Sequence, residues 1–186
     1  LYAFDYGVFF RAVAPHSSHS AQALEVLTFG GRPSMSERLE TGRITSEEFV
    51  QWLRREGEIE LDNNDLEERF VRIFTPNEAV IGLVAQLARQ RTVGLISNTN
   101  ELHFERFIRH TPVFRDFSAV VLSYLVGTMK PDPEIFREAL NQLQCEPQEC
   151  VLVDDVDANV ERARELGLYA IHYTAGLDLR SALEAL

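Results

Sequence analysis

Four short segments carry side chains suited to one kind of chemistry: Phe4-Asp5-Tyr6-Gly7-Val8, Ile96-Ser97-Asn98, Lys130-Pro131-Asp132-Pro133 and Val153-Asp154-Asp155. An anionic nucleophile, a hydroxyl donor, a cation and metal-binding carboxylates suit transfer of a phosphoryl group to an aspartate. Adjacent carboxylates such as Asp154 and Asp155 repel one another unless a cation sits nearby, which points to a metal rather than a plain helix cap. The Ser97 hydroxyl can donate to a phosphoryl oxygen, or it can cap a helix from Thr99 onward. Asn98 can orient a substrate or serve a turn. Lys130, followed by two prolines that fix the local chain, offers a cation to offset negative charge.

The elements that must position these groups alternate. Leu1 to Phe4 reads as a short first strand. Thr92 to Ile96, Ala119 to Leu122, Val151 to Val153 and Tyr169 to His172 read as strands buried on both faces. Helical patterns fall between them: Asn77 to Gln90, Pro133 to Leu143 with Asp132 as N-cap, and Asp157 to Leu166 ended by Gly167. Strands alternating with helices imply an α/β, Rossmann-like, doubly wound parallel sheet. Such sheets place ligands at the strand exits, where the first, second and fourth segments lie.

One stretch breaks the alternation. Roughly 65 residues separate Phe10 from Pro76, far more than an ordinary connection. They are helical in pattern, with no convincing strand. Thr45-Ser46-Glu47-Glu48 is a capping box that starts a helix carrying Phe49, Val50 and Leu53. Asp65 to Phe74 places Leu66, Phe70, Ile73 and Phe74 on one helical face. The expected organisation is a core of residues 1–10 and 76–186 with an inserted α-helical cap at 11–75. Phe9, Phe10, Phe29, Phe49 and Trp52 are expected to pack insert against core.

Bulk properties narrow the partners. A formal net charge of −11 disfavours nucleic acid, whose phosphates the chain would repel. No apolar run approaches the ~20 residues that span a bilayer, so no membrane is expected. The first residues show no basic segment or cleavage pattern, and the absence of an initiating Met implies a trimmed start. Cys145 and Cys150 are expected as reduced thiols, which with the rest suggests a cytoplasmic location. His16 and His19, three apart in a Ser-rich loop, lack further ligands nearby and are read as exposed. A monomer or homodimer is expected.

Taken in order, the four segments and the insert resemble the haloacid dehalogenase superfamily. Ser97-Asn98-Thr99-Asn100, Gly127-Thr128-Met129-Lys130-Pro131, Asp154-Asp155 with Asn159, and Glu40-Thr41-Gly42-Arg43-Ile44 carry the resemblance. The nearest branch is similar to bacterial sugar-phosphate phosphatases of the α-glucose-1-phosphatase kind, which share the Ser97 to His103 pattern. The resemblance implies a Mg²⁺-dependent phosphatase acting on a small phosphorylated metabolite. It makes Asp5 the nucleophile and a metal ligand. It places Ser97, Asn98 and Lys130 on the phosphoryl group, Asp155 on the metal, and Asp154 on or behind it. Gly7 stands where most phosphatases of the superfamily have a second aspartate, so it offers the metal only its carbonyl and the leaving group no acid. Val8 follows directly, which leaves the expected loop one residue short or puts Val8 where the branch usually has Gly or Asn. Two alternatives follow: a weakly active or non-catalytic binding protein of the same fold, and a metal-free 2-haloacid dehalogenase. His103 is expected either at the site or on a helix surface.

Overall fold

The computed structural model describes residues 1–186. In chain order it comprises β1 (Tyr2–Phe4), α1 (Tyr6–Val13), α2 (Ala21–Phe29), α3 (Met35–Glu40), α4 (Ser46–Glu56), α5 (Asn63–Val71), β2 (Phe74–Pro76) and α6 (Glu78–Ala88). There follow β3 (Gly94–Ser97), α7 (Glu101–Arg106), β4 (Ala119–Leu122), α8 (Ser123–Val126), α9 (Pro133–Leu143), β5 (Val151–Asp154), α10 (Asp157–Glu165), β6 (Tyr169–His172) and α11 (Leu179–Glu184). They form two compact units: Leu1–Glu78 with Thr99–Pro112, and Ala79–Asn98 with Val113–Leu186.

The second unit holds the α/β architecture. β3 and β4 pair in parallel, with Ser97 opposite Leu122, and β5 and β6 pair in parallel, with Asp154 opposite His172. Parallel neighbours need long crossovers, and helices supply them. α9 packs on β3 and β4, and α10 packs on β5 and β6. α9 starts as its sequence dictates, with Pro133 in the first turn and the Asp132 carboxylate accepting from the Glu134 amide. Its buried face, Ile135 and Phe136, joins Val121, Leu152 and Ala163 in the core of this unit. α8 ends at Gly127, whose φ of 84° is a left-handed cap that glycine adopts without a Cβ penalty.

The first unit is mainly helical. Phe9, Phe10, Leu24, Phe49, Leu53 and Phe70 anchor one buried cluster. The capping box at Thr45 forms as expected, the Thr45 hydroxyl accepting from the Glu48 amide and the Glu48 carboxylate from the Thr45 amide. Phe49 and Trp52 lie 6.1 Å apart, so the aromatics of this region do pack together.

Several expectations change. The helix expected over 65–74 runs instead from Asn63 to Val71, and Phe74 belongs to β2. The pair Thr75-Pro76 explains this, because a residue before proline is pushed from helical to extended backbone. The stretch expected to lack strands thus ends in one. β1, expected to lead a parallel sheet, pairs antiparallel with β2, Phe4 opposite Phe74. Only β4 approaches burial on both faces; Val151 and Val153 of β5 are 41% and 37% exposed. The loop expected after β1 is a helix start instead, since α1 begins at Tyr6 with Asp5 as its N-cap.

Candidate functional site

In the second unit, three of the expected residues, Asn98, Lys130 and Asp154, are joined through Lys130. Lys130 Nζ donates to Ile96 O at 3.0 Å and to Asp154 Oδ2 at 2.5 Å. Both side chains of this ion pair are buried, at 10% and 5% exposed. Asn98 clamps the lysine from the other side. Its amide Nδ2 donates to Lys130 O at 2.9 Å, and its Oδ1 accepts from the Lys130 amide at 2.7 Å. Asn98, left between substrate and turn roles by sequence, therefore spends its side chain on the Lys130 backbone. Ser97 ends β3, with Oγ 3.5 Å from Asn98 O. It does not cap α7; Asn100 does, accepting from the His103 amide.

Asp154 is held on both oxygens. Oδ1 accepts from the Val156 amide and from Asn159 Nδ2, each at 2.9 Å, while Oδ2 takes Lys130. Burial works to raise its pKa, but the Lys130 charge and these hydrogen bonds outweigh burial and hold the carboxyl below its usual range. Asn159, buried one turn into α10, is thus an anchor for Asp154. Asp155 is exposed, and its backbone carbonyl accepts from His172 Nε2 at 3.1 Å.

In the first unit, Asp5 caps α1. Its Oδ1 accepts from the Gly7 amide at 2.8 Å and its Oδ2 from Arg11 Nη2 at 3.1 Å. Both side chains of the pair are well exposed. Gly7 lies inside α1, where a backbone carbonyl serves the amide four residues on. A Cβ at Gly7 would stand 2.6 Å from Arg11 Nη1 and 2.9 Å from Asp5 Oδ1. The missing side chain is therefore the space the guanidinium occupies. Sequence reading passed over Arg11, although the spacing of Gly7 and Arg11 puts both on one helical face.

Two other features of this unit also escaped it. Tyr6 Oη donates to Glu40 Oε1 and Ser36 Oγ donates to the same oxygen, each at 3.3 Å. Burial raises the Glu40 carboxyl despite those bonds, and burial with the Glu40 charge pushes the Tyr6 phenol well up. His103 is a core residue, 2% exposed and stacked on Phe70 at 4.3 Å. Its Nε2 bonds Phe70 O at 3.1 Å and its Nδ1 pairs with Asn100 Nδ2 at 2.9 Å. A carbonyl can only accept, so Nε2 carries the proton and Nδ1 accepts. Burial pulls its pKa to about 4, against a smaller opposing effect of the Phe70 carbonyl. His16 is exposed and His19 half-buried. Cys145 and Cys150 are free thiols; burial, then the Cys145 thiol, pushes Cys150 up to about 12, which leaves little thiolate for reaction.

Within neither unit do three His, Cys, Asp or Glu side chains converge. Mg²⁺ needs no such cage, since it keeps several waters and takes one or two carboxylates. Asp5 in the first unit and Asp155 in the second are each exposed carboxylates of the hard-oxygen kind, although the Asp5 oxygens accept from the Gly7 amide and Arg11. Asp154 fits as the anchor of Lys130, its oxygens already engaged.

Parallel strand pairs with helical crossovers make the second unit an α/β fold, with a buried lysine–aspartate pair at the end of β5. The chain belongs to the haloacid dehalogenase-like hydrolase family, whose family model matches residues 8–167, a span that begins after Asp5. It is 27% identical over 154 residues to D-ribitol-5-phosphate phosphatase of Bacteroides thetaiotaomicron, a match covering 79% of this chain and 75% of that protein. It is 36% identical over 89 residues to Acyl-CoA dehydrogenase family member 10 of Mus musculus, covering 47% of this chain but 8% of that protein's length. Among solved structures, a HAD family enzyme from Bacteroides thetaiotaomicron in complex with magnesium and inorganic phosphate shares the fold at a TM-score of 0.76 and 22% identity. That likeness covers 98% of this chain and 93% of the other. No helix is long and apolar enough to cross a membrane.

Proposed function

We propose that the chain is a magnesium-dependent phosphatase of small phosphate esters, sugar phosphates among them, working through an aspartyl-phosphate on Asp5. The observation that carries this reading is the Lys130 ammonium. It is buried, aimed by Asn98 and Ile96, and balanced by a single carboxylate, an arrangement suited to meeting a multiply charged phosphoryl group. A D-ribitol-5-phosphate phosphatase among the relatives and a magnesium and phosphate complex among the fold neighbours support it.

In this reading an Asp5 oxygen attacks phosphorus and the bond to the leaving oxygen breaks. The leaving oxygen takes its proton from solvent; water then attacks the phosphorus of the aspartyl-phosphate, losing its proton to solvent, and the bond from phosphorus to Asp5 breaks, which returns the carboxylate. Ser97 donates to a phosphoryl oxygen, Lys130 offsets its charge, and Asn98 holds Lys130. Asp5 and Asp155 would hold Mg²⁺, which when bound neutralises phosphoryl charge. Asp154 acts through Lys130, and Gly7 would add only its helical carbonyl. We assign residues 11–75 the role of a substrate-selecting cap and residues 1–10 with 76–186 that of the catalytic core.

The test is hydrolysis of a panel of phosphate esters, with Mg²⁺ and with excess chelator, by wild type and Asp5→Asn. The expected result is Mg²⁺-dependent turnover that Asp5→Asn abolishes in a folded protein. Wild-type rates in Asp5→Asn would remove the nucleophile, and full activity in chelator would favour the metal-free dehalogenase chemistry. A second reading, a non-catalytic binding protein, draws on Gly7, which leaves the leaving group without a side-chain acid. Phosphate binding with no turnover of any ester would favour it.

A further inference from the structure

We propose that Arg11 is a phosphoryl-binding residue, held ready at Asp5 in the space that the absent Gly7 side chain leaves open. The inference deepens the phosphatase reading and rests on Asp5 being its reacting group. Three observations meet. Arg11 Nη2 lies 3.1 Å from Asp5 Oδ2, so the guanidinium touches the proposed nucleophile itself. A Cβ at Gly7 would come within 2.6 Å of Arg11 Nη1, so glycine leaves the fork its present place and any larger residue would make it shift. The pair is open to water, 65% and 61% exposed, so it adds little to stability and exchanges partners easily.

The charge logic follows from those positions. A bare Asp5 carboxylate would repel an incoming phosphate dianion. The Arg11 guanidinium cancels that charge while the site is empty. It carries several N–H donors in a planar fork and can turn from the carboxylate to phosphoryl oxygens when an ester arrives. Asp5 is then released toward phosphorus as the cation moves to the group under attack. The ligand class is a phosphate monoester or inorganic phosphate.

Inorganic phosphate is the probe, with binding measured by calorimetry in excess chelator and again with Mg²⁺. Arg11→Gln should weaken phosphate binding about tenfold or more in both conditions, the effect of losing a charged hydrogen bond. Arg11→Lys should recover part of the loss, keeping charge without the fork. Gly7→Ala should weaken phosphate binding less than Arg11→Gln, because the new methyl shifts the guanidinium without removing its charge. Thermal melting of Arg11→Gln should match wild type, which separates lost affinity from lost fold. Asp5→Asn should bind phosphate at least as well as wild type while losing turnover, because Arg11 is freed from its carboxylate. Wild-type phosphate affinity in Arg11→Gln, or tighter binding, would overturn the assignment. Turnover surviving in Asp5→Asn would instead remove the nucleophile and leave the Arg11 binding result intact, so the two failures are distinguishable.

Discussion

Lowering pH should destabilise this protein through His103, and the size of the effect can be worked out. The ring is 2% exposed, donates from Nε2 to Phe70 O and stacks on Phe70 at 4.3 Å. Burial lowers its pKa from 6.5 to about 4. Between those values the unfolded chain binds a proton that the folded chain refuses, so stability falls as pH falls. The contribution is fully present above pH 6.5 and is lost as pH drops toward 4. At about 1.4 kcal/mol per tenfold change, the loss approaches about 3 kcal/mol. Glu40 works in the opposite direction, since a carboxyl raised by burial gains stability on protonation. A single melting curve therefore mixes the two, and a difference between variants is needed. His103→Gln replaces the ring with a group that stays neutral throughout. Urea unfolding of both proteins from pH 7.5 to 4.5 should show wild type losing about 2–3 kcal/mol more than the variant. The variant starts less stable, having lost the stacked ring, but its curve should be flatter. Parallel curves would refute the account of His103 as a buried neutral histidine.

Two further outcomes separate structural from chemical roles. Asp154→Ala should cost about 3–5 kcal/mol in urea unfolding by stranding the buried Lys130 charge, whereas exposed Asp155→Ala should leave stability within about 0.5 kcal/mol yet shift a Mg²⁺ titration of rate or binding to higher concentration. Gly7→Asp should raise the rate on a sugar phosphate relative to an aryl phosphate by up to ~10²-fold, since only the poorer leaving group needs an acid; an unchanged ratio would show that Gly7 does not mark a missing acid.

The second unit was largely legible before any coordinates. Pro133 after Asp132 announces a helix start, and α9 spans the expected Pro133–Leu143. Ala119–Leu122 and Tyr169–His172 are strands as read, because short β-rich runs between turn signals have few alternatives. Local chemistry set those elements. The errors lie where tertiary pairing wins. Ile73 and Phe74 continue the apolar face of α5 in sequence, but the helix ends at Val71, and Pro76 and the ladder to β1 draw Phe74 into β2. His103 could not be assigned from its neighbours in sequence, since its partner Phe70 lies 33 residues away.

The site was legible in residue type and much less in residue role. Asn98 has the donors and acceptors of a substrate ligand, and both are directed at Lys130 instead. Asp154 and Asp155 look equivalent as neighbours on the chain. Adjacent strand-end side chains point apart, so one is buried as the counter-ion of Lys130 and the other faces water. The same geometric reasoning changes what Gly7 means. Read as a letter, it is a missing carboxylate and an argument for lost activity. Read in three dimensions, it is room, 2.6 Å from a guanidinium nitrogen that a Cβ would displace. Arg11 places a cation beside Asp5, and on the proposed reading that cation favours binding the phosphoryl group over protonating what leaves it. Such a site should discriminate esters by their leaving oxygen more than by their phosphate.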